Sequence, residues 1–401
     1  MVTDSAHMGL VAQVWLCDMR GMSESRTYDV AVVGAGMAGA SVAYELARAG
    51  CKVVLLEQEN SPGYHTTGRS AAMYALGYGP PPIIALTNAS GPFFKETPDE
   101  FAENPLLGPD VGCLFIGRAD QQGSLDETYQ DLTAQLSGIE QLARAEVVRR
   151  VPVLNPEYVA GAVFEPHSAT MDVNEIHMGF FRGALGGGAE FVPKAEVLAG
   201  KSQDNVWMLE TPAGIFEAPL IINAAGAWAD TVARRCGVAE KGLRPLRRTA
   251  LTFKAPAGLD IANWPLVIDV DEEFYFKHEA GLLLGSPCDE TEMRPHDAQP
   301  DEMDVAICAD KIMRATTLDI PRIEHKWAGL RTFAPDGVPI VGFEPGKQGF
   351  FWLAGQGGYG IQTAPAMARV AAALVLGDTV PADIAAAGLE VAALSPSRAM
   401  A

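Results

Sequence analysis

The chain has 401 residues, 48% of them hydrophobic and 20% charged, which suits a soluble enzyme with two sizeable hydrophobic cores. Its formal net charge of −20 makes nucleic acids and anionic membrane surfaces poor partners, because both are themselves polyanions. The six cysteines are scattered, without a C-x-x-C pair or a histidine at ligand spacing, so we expect free thiols in a reducing cytoplasm and no metal site.

The first 27 residues contain an apolar run, GLVAQVWLC, between Asp4 and Asp18. No basic residue precedes this run of nine, so it has neither the flanks of a signal peptide nor the length of a membrane span. We therefore expect residues 1–27 to form a disordered extension, with Met22 as a candidate for the natural first residue. No later apolar run reaches 18 residues, so the sequence predicts no membrane-spanning helix.

The first strong pattern is a pair of short apolar segments around a glycine-rich turn. DVAVV predicts a buried parallel strand, and the following GAGMAG places Gly34, Gly36 and Gly39 as G-x-G-x-x-G. An amphipathic helix follows, and then a second buried strand, KVVLLE. In this arrangement the glycines allow the tight turn, the close approach of a pyrophosphate and the packing of helix on strand. The helix N-terminus offers free N–H groups to the phosphates, so we expect a dinucleotide here.

The choice of dinucleotide depends on Glu57 and on the segment after it. Glu57 ends the second strand 18 residues after Gly39, near the spacing of about 20 at which an acid binds the ribose hydroxyls. An acid favours an unphosphorylated ribose, hence NAD or FAD over NADP. SPGYHTTGRSAAMYALGYG (residues 61–79) then shows neither helical nor strand periodicity, where an NAD enzyme would continue into another crossover. An extended FAD needs a loop that lies beside its pyrophosphate and also covers its large ring. This long polar segment therefore favours FAD.

Three later segments show the same α/β character. APLIINAAGAWAD (residues 218–230) predicts an apolar strand ending in small residues, where Gly226 allows the backbone to pass close to the nucleotide. EEFYFKHEAGLLLGSP (residues 272–287) predicts a hairpin that turns near Gly281. GFFWLAGQGGYGIQTAPAMARVAAALV (residues 349–375) predicts a strand, a glycine loop and a helix whose N-terminus faces an anion or a polar ring edge.

Together these motifs resemble FAD-dependent amine and amino-acid oxidoreductases of the D-amino acid oxidase superfamily, and within it the bacterial FAD-dependent D-arginine dehydrogenases. The resemblance rests on GAGMAGAS, LLEQE, GYHTTGRSAAM, IINAAGAWAD, WAGLRTFAPDGVPIVG and GFFWLAGQGGYGIQTAPAMA, in that order. It implies an α/β fold in which a Rossmann-type FAD-binding domain carries a second, antiparallel-sheet substrate domain. The FAD-binding domain is expected at residues 28–105, 165–235 and 321–395, and the substrate domain at residues 106–164 and 236–320.

By this resemblance, residues 66–73 form the wall under the flavin and FAD is bound without a covalent bond. Some relatives tether the flavin through a histidine near His65, but the residues around that histidine differ from those here. Arg69 has the alternative of a surface salt bridge. The expected cofactor-binding residues are Gly34, Gly36, Ala38, Gly39, Glu57, Gln58, Thr66, Thr67, Gly68, Arg69, Ser70, Ala71, Ala72, Ala195, Gly226, Tyr359, Gly360, Ile361, Gln362 and Thr363.

Oxidation of an amino acid needs a clamp for the carboxylate, and a guanidinium matches a carboxylate with two parallel hydrogen bonds. The resemblance places substrate-binding arginines at Arg248 and Arg331, although strand alternation turns either Arg247 or Arg248 away. Tyr78 and Tyr275 match the catalytic tyrosines of the family, with a buried core aromatic as the alternative. The other expected substrate-binding residues are Gly358, Met73, Leu266 and Ile268.

The sequence departs from the arginine-specific members at three positions. Met73 and Ala75 replace a histidine and a threonine, and Gly112 stands where those members carry a glutamate that pairs with the guanidinium. Asp110 lies two residues earlier. We therefore expect oxidation of a D-amino acid to an imino acid, which water hydrolyses to a 2-oxo acid and ammonia. These three departures do not support D-arginine as the substrate.

Other functions stay open. The same fold could oxidise a secondary amine such as sarcosine or a 2-hydroxy acid, or act as a flavin-binding subunit without activity of its own. The remaining histidines show no metal spacing, and we expect them at the surface or in the core (His167, His177, His278, His296 and His325). No motif identifies the electron acceptor.

Overall fold

The computed structural model describes residues 26–398. Its strands are β1 (Arg26–Thr27), β2 (Val30–Val33), β3 (Val53–Leu56), β4 (Met73–Tyr74), β5 (Leu107–Asp110), β6 (Cys113–Gly117), β7 (Glu140–Ala143), β8 (Gly161–Glu165), β9 (Ala169–Met171), β10 (Glu190–Val192), β11 (Ala199–Gln203), β12 (Val206–Thr211), β13 (Gly214–Ala218), β14 (Leu220–Asn223), β15 (Arg244–Phe253), β16 (Leu266–Asp269), β17 (Tyr275–Glu279), β18 (Leu282–Ser286), β19 (Thr291–Glu292), β20 (His325–Phe333), β21 (Ile340–Phe343) and β22 (Phe350–Ala354). Its α-helices are α1 (Met37–Arg48), α2 (Pro81–Lys95), α3 (Gln122–Gln135), α4 (Arg144–Arg150), α5 (Val173–Gly186), α6 (Ala229–Arg235), α7 (Glu302–Ala315), α8 (Ala364–Leu376) and α9 (Ala382–Ala386).

The extension expected at residues 1–27 lies outside the described residues except for its last two. The apolar run GLVAQVWLC and Met22 therefore both fall outside. Arg26 and Thr27 were expected to be disordered, but they form β1, which pairs in parallel with β13 because the edge of that strand offers free backbone groups. None of the helices within residues 26–398 is long and apolar enough to cross a membrane.

A six-stranded sheet forms the dinucleotide-binding part, in the order β10-β3-β2-β14-β22-β21. All neighbouring strands are parallel except the antiparallel pair β21 and β22 at one edge. Both faces of β2 are buried: Val30 and Val32 join the core that contains α1, α5 and α8, while Ala31 and Val33 pack with Trp207 on the opposite side. A parallel sheet covered on both faces explains the continuous apolar runs in the sequence.

The second large layer is a nine-stranded sheet in the order β19-β15-β18-β17-β16-β6-β8-β7, with β20 also paired to β15. Its pairs are antiparallel apart from β16 and β6. The expected hairpin is present as β17 and β18, and Ala280 and Gly281 at its turn have φ of 48° and 82°. These two sheets confirm the predicted fold class. The boundaries of the two domains stay a prediction.

This topology places the predicted nucleotide-binding residues together, along the side of the six-stranded sheet where its parallel strands end. The carboxyl ends of β2, β3, β14 and β22 meet there, because parallel strands end on the same side of the sheet. Gly34 follows β2, Glu57 follows β3 and Ala224 follows β14. The nine-stranded sheet faces this edge through β15 and β20, so the space between the two layers is the natural position for a bound molecule.

Candidate active site

A cavity of about 300 Å³ lies between the two large sheets. One end is formed by the glycine-rich turn, Glu57 and the segment after β14. The other end is formed by Arg248 and Arg331 on the nine-stranded sheet, with Tyr78 and Tyr275 beside them. The sites expected for the cofactor and for the substrate are therefore parts of one continuous space.

The glycine-rich turn is shaped so that only glycine fits at two of its positions. Gly34 has φ of 102°, and a Cβ atom there would lie 2.6 Å from the carbonyl oxygen of Ala224. A Cβ atom at Gly39 would lie 1.8 Å from the carbonyl oxygen of Gly34, so this glycine lets α1 pack against the turn. Gly36 and Met37 both lie beside the Thr67 hydroxyl, which accepts a hydrogen bond of 3.0 Å from the Met37 N–H. The start of α1 is thus joined to the long loop, and it faces the cavity as a pyrophosphate site requires.

Glu57 stabilises the glycine-rich turn, and its carboxylate can still accept hydrogen bonds from a ribose. Its two carboxylate oxygens accept hydrogen bonds from the N–H groups of Ala35 at 2.8 Å and Glu59 at 3.0 Å. Burial raises the pKa of Glu57, and these two amide bonds oppose that rise. Each carboxylate oxygen keeps a second acceptor position, so two ribose hydroxyls can donate to it. The residues present therefore fit the dinucleotide that the spacing predicts.

His177 supports this turn from behind. It was expected to be a surface or core histidine, and it is a core residue with 4% of its surface exposed. Its Nε2 lies 2.9 Å from the carbonyl oxygen of Ala35, so the ring donates there from a neutral tautomer. Burial lowers the pKa of His177, which keeps it neutral. No local pattern marked this role, because α5 brings the histidine to the turn from 142 positions away.

The long loop at residues 61–79 is attached to the substrate side of the cavity. Thr66 donates its hydroxyl to the Leu330 carbonyl at 2.8 Å, and the Trp327 indole donates to the Arg69 carbonyl at 2.9 Å. The Arg69 guanidinium donates to the carbonyls of Ala298 and Ala328 and also pairs with Asp297. Arg69 lines the cavity, but its charged head is engaged by protein acceptors and ties the loop to β20.

Sixteen of the twenty residues expected to bind the cofactor line this cavity. The other four lie behind its wall. Gly39 is packed on Gly34, Gly68 lies against the Gly63 carbonyl, and Thr363 donates its hydroxyl to the Tyr359 carbonyl at 2.9 Å. The ring of Tyr359 packs edge-on against Tyr78, with 5.0 Å between centroids. All eight residues expected at the substrate end line the cavity, and these are Met73, Tyr78, Arg248, Leu266, Ile268, Tyr275, Arg331 and Gly358.

The pairing of β15 with β20 places the two substrate-side arginines on one face. Arg248 lies opposite Gly329 and Arg331 lies opposite Leu246, so the two arginines are diagonal neighbours two residues apart. Arg247 points to the other face, where it pairs with Asp289 at 3.4 Å and Asp304 at 2.6 Å. Alternation therefore directs Arg248 and not Arg247 into the cavity.

Arg331 differs from Arg248 in its partners. Among residues 26–398, no carboxylate forms an ion pair with Arg331, and its guanidinium lies near the phenols of Tyr78 and Tyr275. A Cβ atom at Gly358 would lie 3.2 Å from Nη1 of Arg331 and 3.5 Å from the Tyr78 hydroxyl, so this glycine keeps the space beside the guanidinium open. Arg248 instead donates from Nη2 to Glu290 at 2.8 Å.

The two tyrosines are positioned to donate hydrogen bonds. Burial raises the pKa of Tyr78 and of Tyr275 above the ordinary phenol value of about 10.0, and Arg331 opposes that shift. Both phenols therefore stay protonated at neutral pH. A carboxylate held by Arg331 would meet a guanidinium and two O–H donors, a set of groups suited to the carboxylate of a small amino acid.

Several residues at this end were missed by the sequence reasoning. Glu272, Cys113 and Cys288 line the cavity, and Glu272 and Cys288 have φ of 53° and 56°. A charged residue with positive φ in a tight turn is the kind of outlier that accompanies functional sites. Glu290 was missed because it lies 42 positions from Arg248 in the sequence.

The structure corrects the reasoning about Gly112. This residue was taken as the position from which a carboxylate would enter the pocket. A Cβ atom there would lie 2.5 Å from the ring of Phe164, and the residue has φ of 78°, so a side chain would point at that ring. Asp110 is exposed at the end of β5, outside the cavity wall. On the nine-stranded-sheet side, the carboxylates of Glu165 and Glu272 line the cavity.

Comparisons with known proteins agree with this geometry. Residues 29–374 match the family model described as DAO, FAD dependent oxidoreductase. The chain is similar to a glycine oxidase of Geobacillus kaustophilus, with 26% identity over 87% of this chain and 93% of that protein. It is also similar to the mitochondrial dimethylglycine dehydrogenase of Homo sapiens, with 25% identity over 89% of this chain and 43% of that protein. The crystal structure of glycine oxidase from Geobacillus kaustophilus superimposes with a TM-score of 0.82 at 23% identity, covering 94% of this chain and 100% of that chain.

Proposed function

Since this chain belongs to the DAO family of FAD-dependent oxidoreductases, we propose that it oxidises the α-carbon of a D-amino acid to an imino acid. Water then hydrolyses the imino acid to a 2-oxo acid and ammonia. The family supports FAD-dependent oxidation of an amine or amino acid, and the choice of a D-amino acid is the proposal.

The observation that carries this proposal is the free guanidinium of Arg331. Arg331 is partly buried at the cavity wall, and a partly buried cation without an ion-pair partner gains when a ligand supplies a carboxylate. The space beside Arg331 is kept open by Gly358 and bordered by the Tyr78 hydroxyl. A substrate α-carboxylate would complete the missing ion pair, which favours an amino acid over an amine without a carboxylate.

Each group of this chain has a distinct part in the proposed reaction. When bound, FAD supplies the two-electron acceptor for the oxidation. The glycine-rich turn and Glu57 hold its dinucleotide part, while Arg331 binds the substrate carboxylate. Tyr78 and Tyr275 can hydrogen-bond that carboxylate or order a water beside the amine. The α-amine must be neutral before the Cα–H bond breaks, because the nitrogen lone pair forms the new C=N bond.

The walls of the cavity favour an apolar substrate side chain. Met73, Leu266 and Ile268 line the substrate end. Each methylene placed against such a wall contributes about 0.8 kcal/mol. A cationic head there would lose its hydration and would depend on Glu165 or Glu272 for a partner. We propose neutral apolar D-amino acids, such as D-leucine, D-methionine and D-phenylalanine, as better substrates than D-arginine.

A second candidate is the oxidation of glycine or of an N-methylated glycine. It is favoured by the similarity to a glycine oxidase and to a dimethylglycine dehydrogenase. These substrates also carry a carboxylate that Arg331 could bind, so the clamp does not separate the two candidates. The apolar wall of Met73, Leu266 and Ile268 favours the first candidate, because glycine has no side chain to contact it.

Anaerobic mixing with a substrate panel tests the proposal. The panel contains D- and L-amino acids, glycine, sarcosine, dimethylglycine and a 2-hydroxy acid, and loss of the oxidised flavin absorbance is followed over time. We expect apolar D-amino acids to give the highest kcat/KM. Faster reduction by glycine or sarcosine, or by L-amino acids, would contradict the proposal.

The side-chain preference has its own control variants. Asp110→Asn should leave the ranking of substrates unchanged, because Asp110 lies outside the cavity wall. D-arginine or D-lysine could instead give the highest kcat/KM, and Glu272→Gln could abolish that advantage. In that case Glu272 pairs with the cationic side chain of the substrate, and the proposed apolar preference is wrong.

A further inference from the structure

Two guanidiniums, those of Arg248 and Arg331, lie at the substrate end of the cavity, and among residues 26–398 only Arg248 of these two forms an ion pair with a carboxylate. Arg248 and Arg331 are diagonal neighbours on β15 and β20, at a separation where two like charges repel. Arg248 has 8% of its surface exposed and is paired with Glu290 at 2.8 Å. Its Nε is buried without a hydrogen-bond partner, so this guanidinium keeps an unused donor.

The loop that carries Glu290 is anchored directly beside Arg248. Asp289 accepts hydrogen bonds from the backbone N–H of Thr249 at 2.6 Å and from its hydroxyl at 2.9 Å. Thr249 is the residue after Arg248 on β15. Because Asp289 is held there, the next residue, Glu290, is brought to the guanidinium without help from the substrate.

We propose that Glu290 is a specificity determinant that occupies Arg248 as an internal carboxylate. The inference rests on the proposed role of Arg331 as the site of the substrate carboxylate. With Glu290 on Arg248, one guanidinium remains, and it matches one carboxylate. A substrate with a second carboxylate would have to displace Glu290 or leave its own charge unpaired near Glu272. The cavity therefore selects monocarboxylates and rejects dicarboxylates such as D-aspartate, D-glutamate or iminodiacetate.

Glu290→Gln tests this selection, with Glu292→Gln as the matched control. Glu292 also pairs with an arginine of β15, at 2.9 Å from Arg244, but Arg244 is exposed and outside the cavity wall, whereas Arg248 lines the cavity. The probes are malonate, succinate and glutarate, each compared with the monocarboxylate of the same carbon number: propionate, butyrate or valerate. The readout is the dissociation constant of each probe for the FAD-loaded protein, from the change in the visible flavin spectrum or from calorimetry.

We expect Glu290→Gln to raise the affinity for at least one dicarboxylate about tenfold relative to its monocarboxylate. This is the lower end for a hydrogen bond to a charged group, because the Glu290 side chain is 54% exposed and its pair is partly screened. Glu292→Gln should change neither class of probe. Adding Arg248→Met to Glu290→Gln should remove the gain, which a general loosening of the fold would not do.

The outcomes separate this inference from the proposed function. If monocarboxylates bind the unmodified protein and Glu290→Gln leaves dicarboxylate affinity unchanged, the role of Glu290 is refuted and that of Arg331 stands. If no monocarboxylate binds, the clamp itself is wrong and the proposed function fails with it. The unmodified protein gives a test that needs no variant: each dicarboxylate should bind more weakly than its monocarboxylate, and the reverse order would overturn the inference.

Discussion

Replacing Arg331 with methionine should remove most of the affinity for substrate while FAD stays bound. The substitution keeps an apolar stem and deletes the free guanidinium beside Gly358 and Tyr78. Truncating one partner of a buried charge pair costs about 2–5 kcal/mol. At about 1.4 kcal/mol per tenfold change, this is a factor of about thirty or more in the dissociation constant. We expect the lower part of this range, since Tyr78 and Tyr275 still donate hydrogen bonds worth about 1 kcal/mol each.

The assay is anaerobic flavin reduction at a series of D-leucine concentrations, which separates the apparent dissociation constant from the limiting rate. Arg244→Met is the matched control, because Arg244 is exposed and paired with Glu292 away from the cavity. Arg248→Met should weaken binding less than Arg331→Met, since Glu290 already occupies Arg248. Normal affinity in Arg331→Met, with full FAD content, would refute the clamp.

Three further predictions concern the cofactor, the reaction and the support of the glycine-rich turn. Acid or heat should release free FAD from the yellow protein; flavin that remains with the denatured chain would indicate a covalent bond and point to His65. The reductive step should accelerate as pH rises through one apparent pKa, because the substrate amine must lose its proton, and a flat profile between about pH 6 and 10 would contradict this. Burial lowers the pKa of His177 below its ordinary value of 6.5, so the unfolded chain binds more protons and stability should fall as pH drops below about that value. Thermal unfolding of the protein and of His177→Gln at pH 5 and 7 measures this loss, which should shrink in the variant; an equal loss in both would exclude His177 as its source.

The dinucleotide half-site could be predicted because its signals are local. Gly34, Gly36 and Gly39 lie within six residues of one another, and the backbone geometry of the turn demands glycine at Gly34 and Gly39. The buried strands around them are continuous apolar runs that a parallel sheet requires on both faces. The motif order then extended this prediction to the whole fold and to FAD.

The sequence predicted which residues line the substrate end, but it did not predict how their charges are paired. Arg248 and Arg331 were identified, and strand alternation could not show which of Arg247 and Arg248 faces the cavity until the pairing with β20 was known. Gly112 was placed in the pocket by motif position, but its backbone directs a side chain at Phe164. Local pattern does not report such directions, because φ at a turn depends on the contacts around it.

The sequence by itself thus determined the features that neighbouring residues define. These are the glycine-rich turn, the buried strands, Glu57 and the loop that follows. Only the tertiary structure decided the charge balance of the pocket, in which Glu290 pairs with Arg248 and no carboxylate within residues 26–398 forms an ion pair with Arg331. That balance arises from side chains 42 positions apart, brought together by the strand pairing and the anchored loop. An ion pair depends on distances of a few ångströms, and these distances exist only once the sheets have formed.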